Sequence, residues 1–195
     1  MTNTLIENKY EKDRTKLGNV LYNITFFFAN GLIKHPVLFY ILSYTWGIVT
    51  TILGWIVYIF VRIFFASHIV KHRRFGHCHY LMLFKNWGGL ELGTNFLIAA
   101  DMGDSWTYRT KCHELGHTIQ NAIWGPFALL FIFIPSTIRY WVRRAKEKKV
   151  VMLKPYDTFW PEESATNIGL VYHEYNSSKF FKKSEEKFKK EHNLK

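Results

Sequence analysis

Residues 111–120 have the sequence Lys-Cys-His-Glu-Leu-Gly-His-Thr-Ile-Gln and contain the pattern HExxH. If this segment is helical, His113 and His117 are four residues apart and lie on one face, about one turn apart. Both imidazoles can then reach the same metal ion. The sequence therefore predicts a helix that carries two metal ligands.

Glu114 follows the first of these histidines and would lie beside the bound metal. Two imidazoles at this spacing suit zinc, and the adjacent carboxylate can hydrogen-bond a zinc-activated water and take its proton. This is the core of a zincin peptidase, with His113 and His117 as ligands and Glu114 as general base. The alternative is a pair of ordinary histidines on one helix.

The charge distribution indicates a lipid bilayer as partner and no nucleic acid. The chain of 195 residues has a formal net charge of +11, but its Lys and Arg cluster at the ends of apolar segments and near the C-terminus. That placement suits anionic lipid headgroups, and no nucleic-acid recognition motif is present. The two cysteines have no spacing that implies a disulfide framework.

The longest apolar run has no charged residue between positions 36 and 61. As one helix it would be about 39 Å long, which is enough to cross a hydrocarbon core of about 30 Å. We therefore expect residues 36–66 to form a transmembrane helix; a buried core helix is the alternative. A cleaved signal peptide fits poorly because the run begins late and is too long.

The rest of the chain divides around this helix. Residues 1–35 are predicted to be an N-terminal extension with an amphipathic helix over 17–33 at the membrane surface. Residues 67–175 are predicted to be the catalytic domain, and residues 176–195 a basic tail. Within the domain, the apolar residues 122–142 are interrupted by two prolines, which indicates a re-entrant or second membrane segment.

Two apolar runs, residues 80–84 and 90–100, lie on either side of Gly88 and Gly89. They are predicted to form a β-hairpin or two short strands beside the HExxH helix. In zincins an edge strand at this place binds the substrate backbone, so we assign that role to this segment; a purely structural hairpin is the alternative. The basic segment before it is interpreted as the place where the chain leaves the bilayer, with His77 and His79 as a weaker metal-site candidate.

A catalytic zinc site needs a third protein ligand. The acidic pair Glu162 and Glu163 lies at the start of the next well-defined helix, where Pro161 suits the first turn. Spacing alone leaves both carboxylates open, because a change of one residue in helical register exchanges them.

Further motifs carry a family resemblance. HELGHTIQ is followed by Gly125-Pro126, by Ile134-Pro135-Ser136, and by FWPEESATNIG at residues 159–169. This order resembles a group of small bacterial membrane proteins regarded as metallopeptidases, with the pattern HExGHxxQ, GP, GxPS and FWxExxADxxG. The resemblance covers residues 87–170. The chain is also similar in outline to the membrane gluzincins of the prenyl-protease and heat-shock type, in which ExxxD completes HExxH.

The resemblance implies Glu162 as the third ligand, with Glu163 as the alternative, and Zn²⁺ as the cofactor. It also implies an Asp or Asn where this chain has Thr166. The Thr166 hydroxyl could still orient a ligating histidine, or Asn167 could replace it. Without either partner, metal affinity would fall by about 10- to 100-fold.

These features predict an α+β, mainly helical chain: a membrane-anchored zincin-like domain with a small hairpin or sheet beside the HExxH helix. The predicted function is that of a zinc metallopeptidase, integral to the bacterial cytoplasmic membrane, that hydrolyses protein or peptide substrates through a zinc-activated water. The alternatives are a non-catalytic membrane protein that keeps a structural zinc site, and a zinc hydrolase with a non-peptide membrane substrate. Candidates for stabilising the oxyanion are Tyr108, Arg109, Tyr172 and His173.

Overall fold

The computed structural model describes residues 14–84, 87–100, 102–147 and 156–191. In chain order the elements are α1 (Lys16–Lys34), α2 (Pro36–Tyr44), α3 (Ile48–Phe64), β1 (Ile69–Phe75), β2 (Cys78–Leu83), β3 (Gly89–Leu92), β4 (Asn95–Ile98), α4 (Asp104–Trp124), α5 (Ile134–Glu147) and α6 (Trp160–Glu191). The fold is α+β and mainly helical, as predicted. Residues 1–13 of the predicted extension and 192–195 of the predicted tail lie outside the described residues. α6 continues without a break past residue 176.

The predicted transmembrane helix over residues 36–66 is wrong as a single element. α2 ends at Tyr44 and α3 begins only at Ile48. In the turn between them, the Trp46 indole N–H donates to the carbonyl of Ile123 at 3.1 Å, and Gly47 lies against Asn121. The turn is therefore held by α4, which is distant in sequence, and Gly47 is its main local sign within an uncharged run.

No single helix in the described ranges is long and apolar enough to cross a membrane. Two bent helix pairs have the length and composition of a broken span or a re-entrant loop. One is α1 with α2, bent by 116°, and the other joins Asp104–Phe127 to Leu129–Lys146, bent by 117°. The second pair includes residues 122–142, whose entry into a membrane stays a prediction.

α4 is the central helix, and it packs directly on α6. Gly116 of α4 lies against the backbone carbonyl of Ala165, and Gly169 of α6 lies against the carbonyl of Cys112. A Cβ atom at either glycine would overlap that carbonyl, so only glycine permits this approach of the two backbones. The close packing brings the first turns of α6 beside the HExxH segment.

The sheet has the strand order β1-β2-β4-β3, with β2 and β4 parallel and the other neighbours antiparallel. The predicted hairpin is displaced along the chain. β3 and β4 form it, and the turn between them contains Gly93, whose φ of +66° favours glycine. Gly88 and Gly89 therefore lead into β3 and do not form the turn.

β1 was missed by the sequence analysis, which interpreted its residues as a basic interfacial segment. Its sequence, Ile-Val-Lys-His-Arg-Arg-Phe, lacks the alternation of apolar and polar residues that marks a half-buried strand. β1 is an edge strand, and its five middle residues are exposed. Backbone pairing with β2 defines it, and side-chain burial contributes little.

The helix α3 buries small and polar residues and exposes large apolar ones, the reverse of a surface helix in a soluble protein. Its buried residues include Thr50, Thr51 and Gly54, whereas large aliphatic side chains on the opposite side are exposed. The same is true of parts of α1 and α2. We call this surface the outer apolar face and define it by six residues with exposed fractions of 51% to 74%: Phe27, Val37, Ile52, Ile56, Ile59 and Ile63.

Candidate metal centre

Three side chains from α4 and α6 converge on one point. His113 Nε2 and His117 Nε2 are 3.1 Å apart. Glu162 Oε2 lies 3.1 Å from the first nitrogen and 3.5 Å from the second. The helix α4 places both imidazoles on one face, and the glycine contacts bring α6 close enough for Glu162 to complete the triangle. The structure thus brings together the two predicted histidines and the predicted third ligand.

His117 has a fixed ring orientation. Its Nδ1 lies 2.7 Å from Gln120 Oε1, while Gln120 Nε2 donates to the Pro161 carbonyl at 2.7 Å and to the Ser164 hydroxyl at 2.6 Å. Because the Gln120 amide nitrogen makes those two bonds, its oxygen is the acceptor for His117. Nδ1 of His117 therefore carries the proton, and Nε2 presents a lone pair towards Glu162.

His113 is oriented by Thr166. Its Nδ1 lies 2.8 Å from the Thr166 hydroxyl oxygen, which can accept a hydrogen bond from the imidazole N–H, as the expected Asp or Asn would. Asn167 does not take this role, since its amide donates to the Tyr22 hydroxyl at 2.9 Å. Thr166 is therefore the hydrogen-bond partner of His113, in place of the Asp or Asn that the resemblance implies.

The donor set fits a divalent metal ion. Two imidazole lone pairs and a carboxylate oxygen repel one another at such short separations unless a cation or a shared proton lies between them. Ligands bound tetrahedrally to zinc at about 2.05 Å are about 3.3 Å apart, close to the edges of this triangle. Within the described residues, Glu162 Oε1 is buried without a hydrogen-bond partner. His113, His117 and Glu162 are therefore close enough to hold one metal ion.

Glu114 is buried beside the metal ligands and against β3. A Cβ atom at Gly89 would overlap the Glu114 carboxylate, so the backbone of β3 passes directly over this side chain. Burial raises the pKa of Glu114 to about 8, and the negative charge of Glu162 acts in the same direction, while His117 lowers it. Burial beside a second carboxylate thus favours the protonated form of Glu114.

Tyr156 is a residue that the sequence analysis missed. Arg139 fixes its backbone by donating to the Tyr156 carbonyl from Nη2 at 2.9 Å. Burial, and then the negative charges of Glu162 and Glu114, raise the pKa of the phenol, which therefore stays protonated and able to donate a hydrogen bond. Tyr156 begins a short 3₁₀ turn, Tyr156–Thr158, just before α6. No motif in the sequence marks this residue.

Glu91 of β3 was also missed. It lines a small cavity together with His117, Asn121 and Thr50. Burial, and then the charge of Glu114, raise the pKa of Glu91 well above its ordinary value. A second carboxyl group therefore lies on the same side of the site as Glu114. The only sequence signal for Glu91 was its position two residues after Gly89. That position points to the site only when β3 is known to lie over α4.

The predicted oxyanion candidates lie elsewhere. The Tyr108 ring packs on His173 at 5.0 Å between centroids, and Tyr172 packs on His77 at 5.2 Å. Arg109 is exposed on the surface of α4. His79 contacts Trp55 and Tyr58, so it does not form a second metal site with His77: within the described residues, the only group that could hold a metal is the one formed by His113, His117 and Glu162.

The chain matches no protein-family model, no curated protein and no solved structure. The resemblance to membrane metallopeptidases therefore stays a prediction from the motifs. The functional argument depends on the geometry of the site.

Proposed function

We propose that this chain is a zinc metallopeptidase anchored in the bacterial cytoplasmic membrane. The observation that carries the proposal is the triangle of His113 Nε2, His117 Nε2 and Glu162 Oε2, with edges of 3.1 to 3.5 Å, next to the buried carboxyl of Glu114. Two histidines and a carboxylate are the ligand set of a catalytic zinc site, and the adjacent carboxyl group is placed to act as its general base.

The residues around the site have separable roles in peptide hydrolysis. When bound, zinc supplies Lewis-acid polarisation of a carbonyl and lowers the pKa of a water molecule. Glu114 accepts a proton at its carboxylate and returns it to the leaving amine. The Tyr156 phenol is our candidate for donating a hydrogen bond to the developing oxyanion.

A peptide substrate is supported by the position of β3. This strand is at the edge of the sheet and pairs with β4 on one side only, within the described residues. Gly89 at its start lies against Glu114. An extended peptide that paired with the free edge would bring its backbone carbonyls past the general base, as β-strand addition does in other complexes. This is the role assigned to the segment from its sequence.

Membrane anchoring is supported by the outer apolar face. Phe27, Val37 and Ile63 are 74%, 70% and 65% exposed, while α3 buries threonines and a glycine on its inner side. On α3 the exposed residues Ile52, Ile56, Ile59 and Ile63 recur at helical spacing and so share one face. Helices in a bilayer place small residues between helices and large aliphatic residues towards lipid. We propose that this face contacts the acyl region of the bilayer.

The proposal is tested with protein purified in detergent. We expect one zinc per chain in the unmodified protein and in Glu114→Gln, and loss of zinc in Glu162→Gln. Glu174→Gln, which changes an exposed carboxylate on the same helix, is the matched control and should keep its zinc. Retention of zinc with unchanged affinity in Glu162→Gln would refute this ligand assignment.

Peptidase activity requires a separate comparison. Membranes that contain the active protein or Glu114→Gln would be analysed for new protein termini by mass spectrometry. We expect cleaved termini that depend on Glu114, and fewer of them in Tyr156→Phe with zinc retained. A zinc-loaded protein that produces no Glu114-dependent termini would instead indicate a structural zinc site or a non-peptide substrate.

A further inference from the structure

Two adjacent carboxylates, Glu162 and Glu163, lie near the imidazoles, and only one of them is the proposed metal ligand. Glu162 and Glu163 are consecutive in α6, so their side chains leave the helix about 100° apart and only one can face the imidazoles. Exchanging them would take a rotation of the first turn by about 100°. The ligand set therefore depends on whatever holds this turn in register.

Arg14 holds Glu163 with a two-pronged ion pair. Its Nε lies 2.6 Å from Glu163 Oε2, and its Nη2 lies 2.7 Å from Glu163 Oε1. The two side chains are only 2% and 4% exposed. Bidentate pairing of this kind is directional as well as strong, because the planar guanidinium matches the carboxylate. Both oxygens of Glu163 are thus committed to Arg14.

The guanidinium is itself held by α1. Nη1 of Arg14 donates to the Asn19 side-chain oxygen at 3.2 Å, and the group lies over the Tyr22 ring at 3.7 Å from its centroid. These contacts link α1, through Arg14 and Glu163, to the turn that carries Glu162. Breaking a buried pair by removing one partner leaves a buried charge, which is strongly unfavourable.

We infer that Arg14 is a positioning residue for the metal centre: it holds Glu163 away from the imidazoles and so makes Glu162 the carboxylate ligand. The inference rests on the proposed metal site. It gives Arg14, just before α1, a role in metal binding although it lies 149 positions from Glu163.

The test is a zinc competition titration of folded protein in detergent. We expect Arg14→Gln to lower zinc affinity by about 10- to 100-fold, the range for residues that orient ligands. Arg14→Lys keeps the positive charge but cannot make the bidentate pair with Glu163, so its zinc affinity should fall by a smaller factor. If Arg14→Gln does not fold, Arg14→Lys alone decides the question. Affinities within threefold of the unmodified protein for either folded variant would overturn the inference.

Two further comparisons separate positioning from mere support of the fold. Asn167→Ala removes another link between α6 and α1, its 2.9 Å hydrogen bond to the Tyr22 hydroxyl, and should change zinc affinity less than threefold. In the Arg14→Gln background, Glu162→Gln should cost much less affinity than it does alone, because Glu163 is then free to bind the metal. Additive losses would contradict the exchange of carboxylates.

A spectroscopic readout addresses the geometry directly. Cobalt(II) in place of zinc absorbs visible light according to its ligand arrangement, so Arg14→Gln should alter the spectrum while Asn167→Ala should not. Identical cobalt spectra for unmodified protein and Arg14→Gln would overturn the inference. An unmodified protein that binds neither metal would refute the proposed function itself.

Discussion

The metal centre lies between α4 and α6, whereas the outer apolar face lies on α1, α2 and α3, and the two regions use helices in opposite ways. At the metal centre, a few polar atoms have single, fixed partners: His117 with Gln120, His113 with Thr166, and Glu163 with Arg14. On the outer apolar face, many aliphatic side chains are exposed and make no specific polar contact. Single substitutions should therefore have large effects in the first region and small effects in the second.

The largest effect is expected when a ligand is removed. His117→Ala should lower zinc affinity by more than about 100-fold, since losing a residue that merely orients a ligand already costs about 10- to 100-fold. His173→Ala, which changes an exposed histidine on α6, is the control. Competition with a chromogenic chelator measures both, and equal affinity of the two variants would contradict the assignment of His117.

A smaller loss is expected when a histidine loses its orienting partner. Thr166→Val removes the hydroxyl 2.8 Å from His113 Nδ1 with little change in volume, so zinc affinity should fall by about 10- to 100-fold. Thr166→Asp should recover the loss, because a carboxylate accepts the same hydrogen bond. If Thr166→Val binds zinc as tightly as the unmodified protein, the hydroxyl does not orient His113.

Two glycines offer a contrast in packing, Gly116 beside the metal centre in α4 and the exposed Gly31 in α1. Gly116→Ala places a Cβ atom on the Ala165 carbonyl and should lower stability by about 1–3 kcal/mol through overpacking. Gly31→Ala has no atom within 4 Å of the new Cβ and should raise stability by up to about 1 kcal/mol through helix propensity. Thermal unfolding of the two metal-free variants measures the difference, and a stabilising Gly116→Ala would contradict the close packing of α4 on α6.

The smallest effect on the metal centre is expected from the outer apolar face. The double substitution Ile56→Asn with Ile59→Asn should leave zinc affinity within about twofold but reduce partitioning into liposomes, because two large aliphatic side chains are lost from the lipid contact. Ile56→Val with Ile59→Leu is the apolar control. Unchanged partitioning of the asparagine variant, measured by liposome flotation, would argue against lipid contact at this face.

The sequence predicted those parts of the site that depend on local spacing. His113 and His117 are brought together by one turn of helix, and the helix ends at Trp124, where the Gly125-Pro126 pair follows. The start of α6 around Pro161 also followed from local preferences. The choice of Glu162 over Glu163 came from the family resemblance, because spacing leaves both carboxylates open. In the structure Glu163 is bound by Arg14, which is 149 positions away.

The errors have the same origin. The turn between α2 and α3 is held by the contact of Trp46 with Ile123, and β1 exists through backbone pairing with β2. Gly47 lies in that turn, but a single glycine within a long apolar run does not by itself predict a break. Tyr156 and Glu91 were missed because their relevance comes from the charges beside them in space, which belong to Glu114 and Glu162 on other elements.

The central claim is that His113, His117 and Glu162 bind one catalytic zinc. X-ray absorption at the zinc edge, on protein loaded with one equivalent of zinc in detergent, tests it most directly. We predict a first shell of nitrogen and oxygen at about 2.0–2.1 Å with the multiple scattering of two imidazoles. A sulfur ligand at about 2.3 Å, or a protein that retains no zinc, would contradict it.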